Sequence, residues 1–159
     1  MIIQVDNKEI IPLKEFELSW RWKRTHNPDI SSSELEQIMP VSEIESRRLN
    51  KVIDYFEYEE NLRKSYSQSD WMSANSETDT HVKRFQEELF SRLGDSEEYV
   101  IITWDRTTTL QTTKALFVKY WYDFCYPSSD DVTVISDNTR WVLFFRHEQI
   151  ANFWIKNEV

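Results

Sequence analysis

The densest apolar pattern in the chain runs from Tyr99 to Trp154. Tyr99-Val-Ile-Ile-Thr-Trp104 is a short apolar run bounded by polar residues, and it predicts a largely buried strand. Asp105-Arg106-Thr107-Thr108 reads as a loop. Thr108 and Gln111 then stand at capping-box spacing, and residues 109–126 predict a helix whose wide apolar face is Leu110, Leu116, Phe117, Tyr120, Trp121 and Phe124. Pro127 stops it. Residues 132–136 and 141–146 predict an antiparallel hairpin across Ser136-Asp137-Asn138-Thr139. Residues 147–154 predict a last short helix with Ile150, Phe153 and Trp154 turned inward. A strand-helix-strand order predicts that 99–104 and 132–136 lie parallel, joined by a right-handed crossover.

Upstream the apolar residues thin out and the period changes often. Ile2-Ile3-Gln4-Val5 and Glu9-Ile10-Ile11 around Asp6-Asn7-Lys8 predict a small hairpin. Pro12 opens a short helix over 13–16. Leu18, Trp20 and Trp22 alternate with polar residues, a period of two that predicts a strand with both indoles on the core face. Asn27-Pro28-Asp29 is a turn. Ser33 with Glu36, and Ser42 with Glu45, match the capping-box spacing, so a short helix over 34–38 and a longer one over 43–63 follow. On the longer helix Ile44, Leu49, Val52, Ile53 and Phe56 form the apolar stripe. Residues 65–80 are serine-rich with no apolar period, pinned only at Trp71-Met72, and predict a mobile polar loop. Residues 80–93 predict a helix, capped by Asp79 or Thr80, that presents Val82, Phe85, Leu89 and Leu93 on one face and ends at Gly94.

Together these elements predict an α+β fold in one domain over residues 1–159. Its centre is a small mixed β-sheet, the C-terminal strand-helix-strand-strand core, with several packed helices. A chain of 159 residues can bury roughly two-thirds of its unfolded surface.

Composition then removes whole classes of chemistry. Gly94 is the single glycine, where average usage would give about eleven. Phosphate-cradling loops, dinucleotide fingerprints and nucleophile elbows need glycine for positive φ or close backbone approach, so none of them can be built. His26, His81 and His147 have no ligand spacing; His147-Glu148 opens like a zinc helix but has Ala151 where a second histidine must stand. No metal and no cofactor is expected. Cys125 is the only cysteine, which excludes an internal disulfide; its aromatic neighbours predict an inert buried thiol. No catalytic residue is assigned. No run approaches the ~20 apolar residues of a membrane span, and the N-terminal residues lack a signal-peptide pattern, so a cytoplasmic protein is expected.

Charge suggests the partner. The chain carries 28 acidic and 19 basic residues, a net charge of −9. Direct nucleic-acid binding, which runs on Lys and Arg, is disfavoured, and a basic protein is the natural complement. The candidate docking residues are Asp54, Glu57, Tyr58, Glu59 and Glu60 at the end of the long helix, where acid opposes the helix dipole and tyrosine offers an anchor. A second candidate is the strand-to-helix junction, where Arg106, Thr108 and Thr109 would suit an anion at a helix N-terminus.

Tyr99-Val-Ile-Ile-Thr-Trp-Asp-Arg, the segment Lys119-Tyr-Trp-Tyr-Asp-Phe-Cys-Tyr-Pro127 and Trp141 through Phe153-Trp154 resemble a family of small bacterial proteins, with Trp20-Arg-Trp22 and Ile38-Met-Pro-Val-Ser42 fitting more loosely. The chain also resembles the single-domain immunity proteins of contact-dependent and polymorphic toxin systems. The resemblance covers most of the chain through packing residues and transfers no catalytic residue. It implies an immunity protein that binds and neutralises a cognate toxin, a basic nuclease. The alternative is a small-ligand or anion-binding regulator using residues 105–109.

Overall fold

The computed structural model describes residues 1–158. It is an α+β fold built on one eight-stranded sheet. The strands are β1 (Met39–Pro40), β2 (Tyr66–Gln68), β3 (Met72–Ser73), β4 (Tyr99–Asp105), β5 (Thr108–Thr113), β6 (Val132–Ser136), β7 (Trp141–Arg146) and β8 (Ile150–Lys156). They lie in the order β1-β5-β4-β6-β7-β8-β2, with β3 also pairing β8. The helices are α1 (Ser32–Leu35), α2 (Glu43–Phe56), α3 (Glu59–Leu62), α4 (Asp79–Leu93), α5 (Lys114–Lys119) and α6 (Trp121–Phe124).

Both sheet faces are covered. Val100, Ile102, Leu110, Val134, Leu143, Phe145 and Phe153 pack with Phe85 and Leu89 of α4 and with Leu116, Phe117, Trp121 and Phe124. The alternate residues Ile101, Ile135, Val142, Phe144 and Trp154 pack with Leu49, Ile53 and Phe56 of α2. Burial on both sides is why the central strands read as continuous apolar runs. Trp121 and Phe145 stack at 6.1 Å between centroids, and Trp121 and Phe117 are fully buried as expected.

Every strand pairing is antiparallel, which corrects the mixed sheet and the parallel crossover. The cause is local. Residues 108–113 form a strand, not the start of a helix, and β4 turns directly into β5. The Asp105 carboxylate accepts the Thr107 backbone N–H at 2.8 Å and its hydroxyl at 3.0 Å, an Asx turn that closes the hairpin. The helix predicted over 109–126 shrinks to α5, capped by Thr113, and α6. The helix predicted over 147–154 is also a strand: β7 returns as β8 through a turn with Gln149 at φ 65°.

The N-terminal third differs more. Residues 2–11 form no hairpin; Ile3 donates to the Asp137 carbonyl, and Ile10 bridges to Val41. Residues 18–22 are not a strand. Ser19–Trp22 is a 3-10 turn, which buries Trp22 but leaves Trp20 42% exposed. Ser31, not Ser33, caps α1, with Glu34 completing the box, and Thr78, not Asp79 or Thr80, caps α4. The helix over 43–63 breaks at Glu57-Tyr58 into α2 and α3, and Ile44 of its expected stripe faces solvent. Residues 65–80 carry β2 and β3, both paired to β8, and reach the core through Tyr66 and Ala74. Gly94 ends α4 at φ 73°.

Candidate partner-binding cleft

One end of the sheet, where β4 and β7 finish and β6 begins, meets the C-terminal end of α2. Its floor is polar. The Asn50 side-chain amide donates to the Ser46 carbonyl at 2.8 Å and to Thr109 Oγ1 at 3.1 Å, and its oxygen accepts from Thr103 Oγ1 at 3.1 Å. Thr109 Oγ1 also lies 2.6 Å from Ser46 Oγ and 3.0 Å from Thr103 Oγ1. This buried network, its members satisfied by one another, docks α2 onto the β4–β5 hairpin and fixes the depth of the cleft above it.

The cleft holds about 430 Å³ and is lined by four carboxylates (Asp54, Glu57, Asp105, Asp131), two guanidiniums (Arg106, Arg146), Tyr58, Trp104 and the hydroxyls of Thr103 and Thr133. Arg106 reaches Asp54 at 3.3 Å across exposed surface, so this pair contributes little to stability. Glu57 is exposed as a residue and lines the cleft, where Thr133 Oγ1 donates to its carboxylate at 3.4 Å. Burial there, and then the charge of Asp54, hold its pKa above the usual carboxylate range against the opposing pull of Thr133, Arg146 and Arg106. Burial also acts to raise Asp105, but the bonds from Thr107 and Thr108 outweigh it and keep that carboxyl low. Asp131 is held low because the His147 backbone N–H and ring donate to it.

The cleft brings together parts of the two candidate sites, and the rest lie outside it. Asp54, Glu57 and Tyr58 line it beside Arg106. Glu59 and Glu60 do not. They open α3, where acid favours the helix dipole instead of opposing it, and Glu59 pairs with Arg63 at 2.9 Å. The anion site at a helix start falls with the helix: Arg106 sits in a hairpin turn, Thr108 is buried, and Thr109 belongs to the network under the cleft. Thr133 and Arg146 are lining residues that sequence reasoning missed. The alternation of β6 and β7 could have put Thr133 and Arg146 on one sheet face only once the antiparallel register, which pairs Thr133 with Phe144, was joined to α2.

Asp131, His147 and Glu148 at the cleft's rim lie with ligand atoms within 4.8 Å of one another, the one such group among the described residues. All three are exposed, and the contacts of the His147 ring with Asp131 at 3.0 Å and Glu148 at 3.4 Å account for the arrangement. Cys125 is buried, and burial drives its thiol pKa well up. Among the described residues no helix is long and apolar enough to cross a membrane. No protein-family model, curated protein or solved structure matches the chain.

Proposed function

We propose that the chain is an immunity-type inhibitor, acting in the cytoplasm, whose acidic cleft receives cationic side chains of a basic toxin domain, a nuclease. The observation that carries this reading is the excess of carboxylates over guanidiniums in the cleft. Four carboxylates face two guanidiniums, and Glu57 carries a raised pKa partly because Asp54 stands beside it. A cation placed between them relieves that repulsion on binding. Tyr58, 60% exposed at the lip, supplies an amphipathic anchor next to the steering charge.

The test is co-expression with the basic C-terminal domain of a large secreted protein encoded beside its gene. Wild type should restore growth, D54N/E57Q/D131N should lose protection, and E59Q/E60Q should keep it. With purified proteins the cleft variant should associate about tenfold or more slowly at low salt and with a shallower salt dependence. Growth arrest that wild type leaves unrelieved would sink the reading.

A second reading, a small-anion regulator, is favoured by Arg146, which has no carboxylate within salt-bridge distance among the described residues and shares the cleft with Arg106. Titration with inorganic phosphate, lost in R106Q/R146Q, would support it; no phosphate binding in wild type removes it.

A further inference from the structure

The opposite end of β4 carries a different surface. A groove of about 960 Å³, more than twice the cleft's volume, runs between the C-terminal half of α4, residues 94–98, the start of β4 and α5. Its apolar surface is Phe90, Tyr99 and Val118, with Ile2 at one side; Phe90 is 59%, Tyr99 45% and Ile2 74% exposed. Phe90 is on the outer side of α4, away from Phe85 and Leu89 that face the sheet, so the fold does not use it. The two lysines that line the groove are already engaged. Lys114 Nζ lies 3.4 Å from Glu98 and donates to the Leu93 carbonyl at 3.0 Å, while Lys119 Nζ donates to Glu34 at 2.7 Å. Asp95, Glu97 and Asp137 are left around the apolar surface without a cation in salt-bridge distance among the described residues.

We infer that this groove is a second docking surface, for a cationic polypeptide segment that places large apolar side chains against Phe90 and Tyr99 while its Lys or Arg meet Asp95, Glu97 and Asp137. Charge decides the occupant. A second copy of a chain with net charge −9 would bring a matching acidic rim and be repelled. A basic segment gains on both counts: it covers an exposed aromatic pair and supplies the missing cations. The groove stands independently of the cleft. Tyr99 and Arg106 are about seven residues apart, roughly 20 Å at strand rise, so one short segment does not fill both.

The probe is a 14-residue peptide of Lys and Leu only, with leucines at helical i, i+3, i+4 spacing, titrated against the full chain by amide NMR. Shifts should concentrate on residues 90–99 and 115–118. F90Q/Y99T should weaken binding about tenfold or more, and D95N/E97Q/D137N several-fold with a shallower salt dependence. D54N/E57Q should leave the shifts on residues 90–99 and 115–118 unchanged. A control peptide with Ser for Leu should bind at least tenfold more weakly. Four results would overturn the inference: no binding by wild type, equal binding of the Ser peptide, indifference to F90Q/Y99T, or loss of binding in D54N/E57Q. Dimerisation lost in F90Q/Y99T would equally overturn it, in favour of a second copy. Failure here leaves the co-expression outcome untouched, so the two readings fall separately.

Discussion

Gln149 and Thr139 hold positive φ angles, 65° and 57°, at the two hairpin turns that flank β7. In most proteins glycine or asparagine takes such positions, because a Cβ in the left-handed region costs roughly 1–2 kcal/mol. Thr139 compensates: its carbonyl accepts the Tyr66 hydroxyl, and its own N–H reaches the Ser136 carbonyl at 2.9 Å. Gln149 has only backbone bonds, so Gln149→Gly should raise stability by about 0.5–1 kcal/mol, net of glycine's entropy cost, as read by urea denaturation. The same residues explain why the last strand was unreadable. With no Gly or Asn at 149 the turn carries no signal, and Ile150, Phe153 and Trp154 at spacings of three and four imitate a helix, while Phe153 and Trp154 pack on opposite faces of a strand. Asp123 offers a test by pH. Burial lifts its pKa from 3.8 to about 6, against the pull of Arg21, while Asn27 donates to it at 2.7 Å. The native state therefore binds this proton more tightly than the unfolded chain, and stability falls as pH rises from about 4 to about 6 and stays reduced above. Asp123→Asn keeps an acceptor for Asn27 and removes the charge. Its stability relative to wild type should improve across that window by at most about 3 kcal/mol, then level off. A flat difference from pH 4 to 7 would show that the carboxyl titrates normally.

Elements were legible where one local signal acted alone. The strands 99–105, 132–136 and 141–146 have apolar runs too short for helices, α4 has a clean stripe and a terminal glycine, and Ser42 with Glu45 marks the start of α2. Elements were misread where local signals competed. Thr108-Thr-Leu-Gln-Thr-Thr113 presents capping-box spacing and an apolar residue, yet its β-branched threonines favour a strand, and pairing on both sides with β1 and β4 decides the outcome. The period of two at Leu18, Trp20 and Trp22 fails for the opposite reason: Arg21, the residue expected outside, is drawn in. It lies 2.7 Å from Asp130, donates to the Asp123 carbonyl at 3.2 Å and stacks on Tyr126 at 3.9 Å, which a 3-10 turn permits and a strand would not. The cleft was half legible, since its acidic lip lies in one segment, whereas its remaining walls come from three strands whose order depends on the misread hairpin. That junction between α2 and β4–β5 is held by Asn50. Asn50→Leu leaves Ser46, Thr103 and Thr109 to satisfy one another less completely, and should cost about 1–3 kcal/mol while lowering partner association through a shifted cleft. Unchanged stability would mean that apolar packing of Leu49, Ile53 and Phe56 alone positions α2.

At the scale of the whole molecule, β8 is the strand on which distant parts of the chain converge. It pairs β7 along its length on one side and the short β2 and β3 on the other. Those two strands are the only ordered pairing in residues 65–80, and they hold through few buried groups, chiefly Tyr66 and Ala74, with Met72 partly covered. Little apolar area there offsets an ordering cost of ~1–2 kcal/mol per residue, so this edge should open locally at far less free energy than the β4–β6–β7 centre. We expect limited proteolysis to cut residues 67–78 before any other segment, and the two fragments to stay associated, because α2 of the N-terminal fragment remains packed on the sheet through Leu49, Ile53 and Phe56 and β1 stays paired with β5. The readout is the first cleavage site by mass spectrometry together with the elution volume of the nicked protein. First cleavage inside α2 or α4, or separation of the fragments, would mean that stability is distributed otherwise: in the first case the helices, not the edge strands, are the weakest part of the fold. In the second, the pairing of β2 and β3 with β8 holds the two halves together far more strongly than its small buried area implies.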